Sequence, residues 1–120
     1  MSKDYDLEDR LIEFAVEIIQ LAESLPNTRA GRHISGQILR SGTSPAPNYG
    51  EAQAAESRPD FIHKMKVCLK ELRETYVWLK MIVKAKLNRS DINPLMAEND
   101  ELISIFFTSI NTAKKNLESE

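Results

Sequence analysis

Apolar residues return along this chain at alternating steps of four and three, the period of a helix with one face turned to a core. Leu7, Leu11, Phe14, Ile18, Leu21 and Leu25 do so first, which predicts a helix over about residues 6–25. Asp4, Asp6, Glu8 and Asp9 crowd its first turn, where acidic groups complement the helix dipole, and Pro26 stops it. A second strongly patterned stretch, Phe61, Met65, Cys68, Leu72, Tyr76, Leu79 and Ile82 or Val83, predicts a helix over about 58–86. Its start is marked by Ser57-Arg58-Pro59-Asp60, with a capping serine and a proline tolerated in the first turn. Leu95, Leu102, Ile103, Phe106, Ile110, Ala113 and Leu117 predict a last helix over about 91–118, capped by Ser90 or Asp91.

Residues 29–56 obey a different pattern. After Ile34, Ile38 and Leu39 come small residues: Gly36, Ser41, Gly42, Ser44, Ala46, Gly50, Ala52, Ala54 and Ala55. Little side-chain bulk lets a neighbouring backbone approach, and a mid-helix glycine costs about 1 kcal/mol that packing must offset. Pro45 and Pro47 remove two amide donors. Propensity alone makes residues 41–48 a loop. Because residues 48–56 resume helical composition at once, the expectation is one distorted helix over about 29–56, capped by Asn27 or Thr28. Four helices on short connectors predict an all-α fold, an antiparallel up-down-up-down four-helix bundle spanning residues 1–120 as a single domain.

The third helix carries more apolar surface than one seam needs. Val67, Glu71, Glu74, Trp78 and Met81 form a stripe outside the seam, and a tryptophan there is the kind of residue that anchors an interface. Ile105 and Phe107 flank the last helix's seam, and Ile12 and Ile19 that of the first. Surplus apolar area on several helices points to contacts between copies. The competing explanation is that broad helical stripes bury all of it within one protomer.

Charge sharpens this picture. The net charge of −2 is segregated: residues 1–27 hold two basic and seven acidic groups, whereas residues 58–86 hold eight basic and three acidic. Within the basic segment Lys66, Lys70, Arg73, Val77, Lys80 and Lys84 follow steps of four and three, one continuous basic ridge. The ridge is either a solvated face or a surface for phosphate backbones, RNA or DNA, read without base specificity. Arg40 with Glu51, Glu71 and Glu74 forms the other charged constellation. It is expected to set register between helices or copies rather than to perform acid–base chemistry, since no nucleophile or metal set accompanies it.

Other chemistries find no support in the pattern. His33, His63 and Cys68 have no metal-ligand spacing, and no glycine-rich phosphate loop or nucleophile elbow occurs. No cofactor and no enzymatic activity are expected. Hydrophobic residues make up 42% and charged residues 28%, a globular rather than disordered balance. No apolar run reaches the roughly 18 residues of a membrane helix. A lone cysteine and an acidic N-terminus without an apolar signal core lead us to expect a cytoplasmic protein.

The string Leu39-Arg40-Ser41-Gly42-Thr43-Ser44, then Ala46, Asn48-Tyr49 and Glu51-Ala52, then Asp60-Phe61, Leu69-Lys70-Glu71, Glu74 and Trp78-Leu79, resembles the four-helix-bundle proteins encoded in intervening sequences of bacterial 23S ribosomal RNA genes. The accessory protein of diversity-generating retroelements is similar. The resemblance spans about residues 7–118. It implies a homopentameric barrel in which Arg40, Ser41, Asn48, Tyr49, Glu51, Glu71, Glu74 and Trp78 are structural or intersubunit residues. In the retroelement relative a basic surface binds nucleic acid and a reverse transcriptase. This chain departs from that relative in being acidic overall, and from the family pattern in carrying Pro47 beside Pro45. The sequence therefore predicts a non-catalytic homo-oligomeric scaffold or adaptor, with itself as partner and a second protein as a further candidate, not a membrane. The alternative is a low-specificity RNA- or DNA-binding protein using Lys66, Lys70, Arg73, Lys80 and Lys84. If the acidic first and last helices cover the ridge, scaffolding gains; if the ridge stands open, binding gains.

Overall fold

The computed structural model describes residues 6–119; Met1 to Tyr5, Asp4 among them, and Glu120 lie outside the described residues. Among the described residues the chain is helical throughout, with no strand. The helices are α1 (Leu7–Ser24), α2 (Arg29–Thr43), α3 (Pro45–Gln53), α4 (Arg58–Lys84) and α5 (Asn93–Ser119). α2 and α3 are the two halves of the small-residue element.

Each boundary has a local cause. The Asp6 carboxylate accepts from the Glu8 amide at 2.9 Å and opens α1, which ends at an extended Leu25 before Pro26. Thr28 Oγ1 accepts from the Gly31 amide at 3.1 Å to open α2. Ser57 Oγ accepts from the Asp60 amide at 3.2 Å to open α4. The helix expected to run to residue 86 stops at Lys84, because Lys86 turns to φ 57° and the Leu87 amide folds back onto the Ile82 carbonyl at 3.0 Å. Asp91 Oδ1 takes the Asn93 amide at 3.0 Å, so α5 begins at Asn93 rather than at residue 91.

The junction between α2 and α3 is a fault in hydrogen bonding more than in dihedrals. Ser44 keeps right-handed helical angles, φ −69° and ψ −38°. Pro45 and Pro47 cannot donate, so the ladder loses two donors here. Asn48 repairs it: its backbone amide reaches the Ser44 carbonyl at 3.2 Å, and its side-chain Nδ2 donates to the same carbonyl at 2.9 Å and to Ser44 Oγ at 2.8 Å. α3 then ends at Gln53, three residues short of the expected end.

α4 packs against α5, α3 and α2, while α1 packs against α2, α3 and α5. α1 and α4 therefore lie across the bundle from one another, with no close backbone approach. Phe14, Ile18, Ile38, Leu72, Leu79, Leu102 and Phe106 fill the centre. The α4 seam differs from expectation at two places: Ile62 is buried where Phe61 was expected, and Thr75 where Tyr76 was. A strict seven-residue pattern drifts around a straight helix, and the buried line follows the 3.6-residue turn instead. Thr75 Oγ1 lies 2.8 Å from both Ser41 Oγ and the Glu71 carbonyl, and Asn99 Nδ2 donates to the Leu72 carbonyl at 3.1 Å. These three polar residues, all buried, tie α2, α4 and α5 at one level.

The small residues divide in two. Gly42 lies under Ile18 of α1, where an added Cβ would come within 2.7 Å of its side chain. A Cβ at Gly36 or Gly50 would meet nothing within 4 Å. Close approach thus explains Gly42 but not the other two.

Candidate interaction surfaces

The basic ridge is open on the protomer. Lys66, Lys70, Arg73, Lys80 and Lys84 are all exposed along the outer line of α4, and none forms an ion pair with a carboxylate among the described residues. Lys80 Nζ sits 5.3 Å from the Tyr76 ring centroid, a cation–π contact within the ridge. Val77 lies on the same line and Met81 beside it, 45% and 46% exposed.

Arg40 of α2 reaches across to α4. Its Nη1 donates to Glu71 Oε1 at 3.0 Å and its Nη2 to Glu74 Oε2. Glu74 Oε2 also accepts from Trp78 Nε1 at 3.0 Å, and the His33 ring meets the indole edge-on with centroids 6.0 Å apart. The Arg40 side chain is half exposed, so this pairing contributes at most about 1 kcal/mol. The fourth member expected here is elsewhere: Glu51 accepts from Lys64 Nζ at 2.8 Å, joining α3 to α4. That bond, and then the charge of Glu51, raise the Lys64 pKa above its ordinary value. Trp78 is half-buried, packed against the core beside α2. Ser41 is buried against Thr75, Asn48 repairs the helix junction, and Tyr49 packs edge-on against Phe106 at 5.9 Å. Arg40, Ser41, Glu71, Glu74 and Trp78 are thus brought together between α2 and α4, while Asn48, Tyr49 and Glu51 belong to α3.

Exposed apolar surface also lies on α1 and α5. Ile12, Val16 and Ile19 form an exposed stripe on α1, and Phe107 is 51% exposed on α5. Val16 completes the stripe that Ile12 and Ile19 signalled; its four-residue step from Ile12 is the sequence signal for it. Between α1 and the start of α5 runs a groove of about 690 Å³ lined by Asp6, Asp9, Glu13, Glu17 and Glu98 around Arg10. Arg10 pairs with Glu98 at 2.6 Å and Glu101 at 2.8 Å. Among the described residues no group of three His, Cys, Asp or Glu side chains converges as a metal set, and no helix is long and apolar enough to cross a membrane.

Cys68 is fully buried against the Pro45 carbonyl, 3.6 Å from its Sγ. Burial pushes its thiol pKa from 9.0 up to about 12. Above pH 9 the unfolded chain releases this proton while the folded chain keeps it, so stability falls as pH rises through that window and is unaffected below it. At mildly alkaline pH, iodoacetamide should alkylate the native protein on the order of 10³-fold more slowly than the urea-unfolded chain. Equal rates would contradict the burial.

These features define an all-α helical bundle protein with charged and apolar outer faces. The chain belongs to the family of 23S rRNA-intervening sequence proteins, which it matches over residues 3–107. It is similar to a crystal structure, solved at 1.70 Å, of a protein of unknown function from the S23 ribosomal protein family of Bacteroides thetaiotaomicron: 36% identity, TM-score 0.80, covering 88% of this chain and 98% of that one. No curated protein matches the sequence significantly.

Proposed function

We propose that this protein is a non-catalytic, self-assembling scaffold or adaptor: an antiparallel up-down-up-down bundle whose copies form a homopentameric cytoplasmic barrel. The observation that carries the reading is the exposed stripe of Ile12, Val16 and Ile19 on α1, each more than 40% accessible. Isolated exposed apolar residues are ordinary, but three aligned at helical spacing make a face. The convergent charged groups are occupied in mutual pairing between helices, Arg40 with Glu71 and Glu74. The subunit number rests on the family resemblance. Native mass spectrometry and light scattering over a dilution series test the reading. The expected mass is five times that of the 13.7 kDa chain, and a single-chain mass at every concentration refutes assembly.

The open ridge of α4 favours a second reading, low-specificity RNA or DNA binding. Each lysine or arginine that displaces a condensed counterion would add salt dependence. Labelled RNA or DNA should then bind in about 50 mM salt and release as salt rises, and no binding at that salt removes the idea.

A further inference from the structure

We infer that the basic ridge of α4 is the docking face for α1 of a second copy, so that copies join head to tail and the ridge is covered once they do. The inference rests on the self-assembly reading and says how that assembly is made.

The two faces match in charge. α1 carries five acidic residues and one basic, net −4, while α4 carries seven basic and three acidic, net +4. The pairing inside the protomer does not cancel these fields on the outer lines. Of the acidic groups on α4, Glu71 and Glu74 are taken by Arg40, and the one basic group on α1, Arg10, is taken by Glu98 and Glu101. Asp9, Glu13 and Glu17 are exposed and make no ion pair among the described residues, and neither do Lys66, Lys70, Arg73, Lys80 and Lys84.

The faces also match in shape and polarity. On α1 the apolar line of Ile12, Val16 and Ile19 has Asp9, Glu13 and Glu17 along one flank, each at steps of four. On α4, exposed Val77 lies within the cationic line and exposed Met81 beside it. Each face thus offers apolar residues beside a line of charges unpaired among the described residues, and the two lines are of opposite sign. The ridge from Lys66 to Lys84 is about 27 Å long at 1.5 Å per residue, enough to span the α1 stripe and its carboxylates.

Position decides the symmetry. α1 and α4 lie across the bundle, so one copy cannot satisfy both faces against itself. A contact between two different patches is heterologous; it leaves a free face at each end until a ring closes. Opposite charges steer that encounter and reject the like-charged alternatives, α1 on α1 and α4 on α4.

A polyanion would need the same ridge. Assembly and nucleic-acid binding at α4 are then competing states rather than simultaneous ones.

Charge reversal with native mass and light scattering tests this, with circular dichroism to follow folding. Lys70→Glu with Arg73→Glu, and separately Glu13→Lys with Glu17→Lys, should each weaken assembly by about tenfold or more in midpoint concentration. All four substitutions in one chain should restore it. Rising salt should loosen the wild-type assembly, and a short single-stranded RNA should lower its mass. Reversed pairs that keep the wild-type mass, a quadruple variant that stays as dissociated as the pairs, or RNA bound to an assembly of unchanged mass would each overturn the docking while leaving self-assembly standing. A wild-type protein found only as single chains would sink both.

Discussion

Phe106→Ala is expected to destabilise the protein by about 3–5 kcal/mol, through lost apolar transfer and the cavity left behind. Phe106 is fully buried on α5 and meets the Tyr49 ring of α3 edge-on, with centroids 5.9 Å apart. Its loss therefore removes the aromatic contact that fastens α5 to the short half-helix after the proline junction. α3 has only nine residues, too few to be helical alone, and depends on such contacts. Total stability of a domain this size is about 5–15 kcal/mol, so the change is a large share of it. A calorimetric or circular-dichroism melt should show the midpoint falling by about 10–20 °C. A shift of a few degrees would mean that the α3–α5 packing is looser than the structure has it.

The second large effect concerns two glycines in one helix, with opposite signs. Both Gly31 and Gly36 lie in α2, and helix propensity alone favours alanine over either by about 1 kcal/mol. At Gly31 an added Cβ would fall 1.9 Å from the Pro26 carbonyl oxygen and 2.9 Å from its carbon, a clash with backbone that no rotamer change relieves. Gly31→Ala must therefore shift the whole turn between α1 and α2, at a net cost of about 1–3 kcal/mol or more. At Gly36 nothing lies within 4 Å, and Gly36→Ala should raise stability by about 0.5–1 kcal/mol. Urea unfolding of the two variants reads both signs. A stabilised Gly31→Ala would show that residue 26 does not fold back over α2.

The helices themselves were legible because their signals are local. Pro26, Thr28, Ser57, Asp91 and the four-and-three spacing of Leu11, Phe14 and Ile18 act within a turn or two of where they stand. Even the junction was readable in part: Pro45 and Pro47 announce lost donors, and the composition of residues 48–53 announces that the helix resumes. The repair by the Asn48 amide was not announced, since an asparagine in a proline-rich stretch reads equally well as a turn former. The ridge was legible as a line of positions; that its cations make no ion pair among the described residues was not. The candidate pairing of Arg40 was half readable, because Glu71 and Glu74 share a helix with the right spacing to be reached together, while Glu51 gave no sign that Lys64 would take it.

By itself, then, the sequence determined four helical segments, the caps and prolines that bound them to within a few residues, and the segregation of acidic charge onto α1 and basic charge onto α4. All of these follow from the order of residues within single helices. Only the tertiary structure decided that Gly31 and Gly42 are packed while Gly36 and Gly50 are open, that Trp78 rests beneath His33, and that α1 and α4 stand on opposite sides of the bundle. Those facts depend on which helix faces which across tens of residues. A helical pattern states that a face must be covered, but carries no local mark of the segment that covers it.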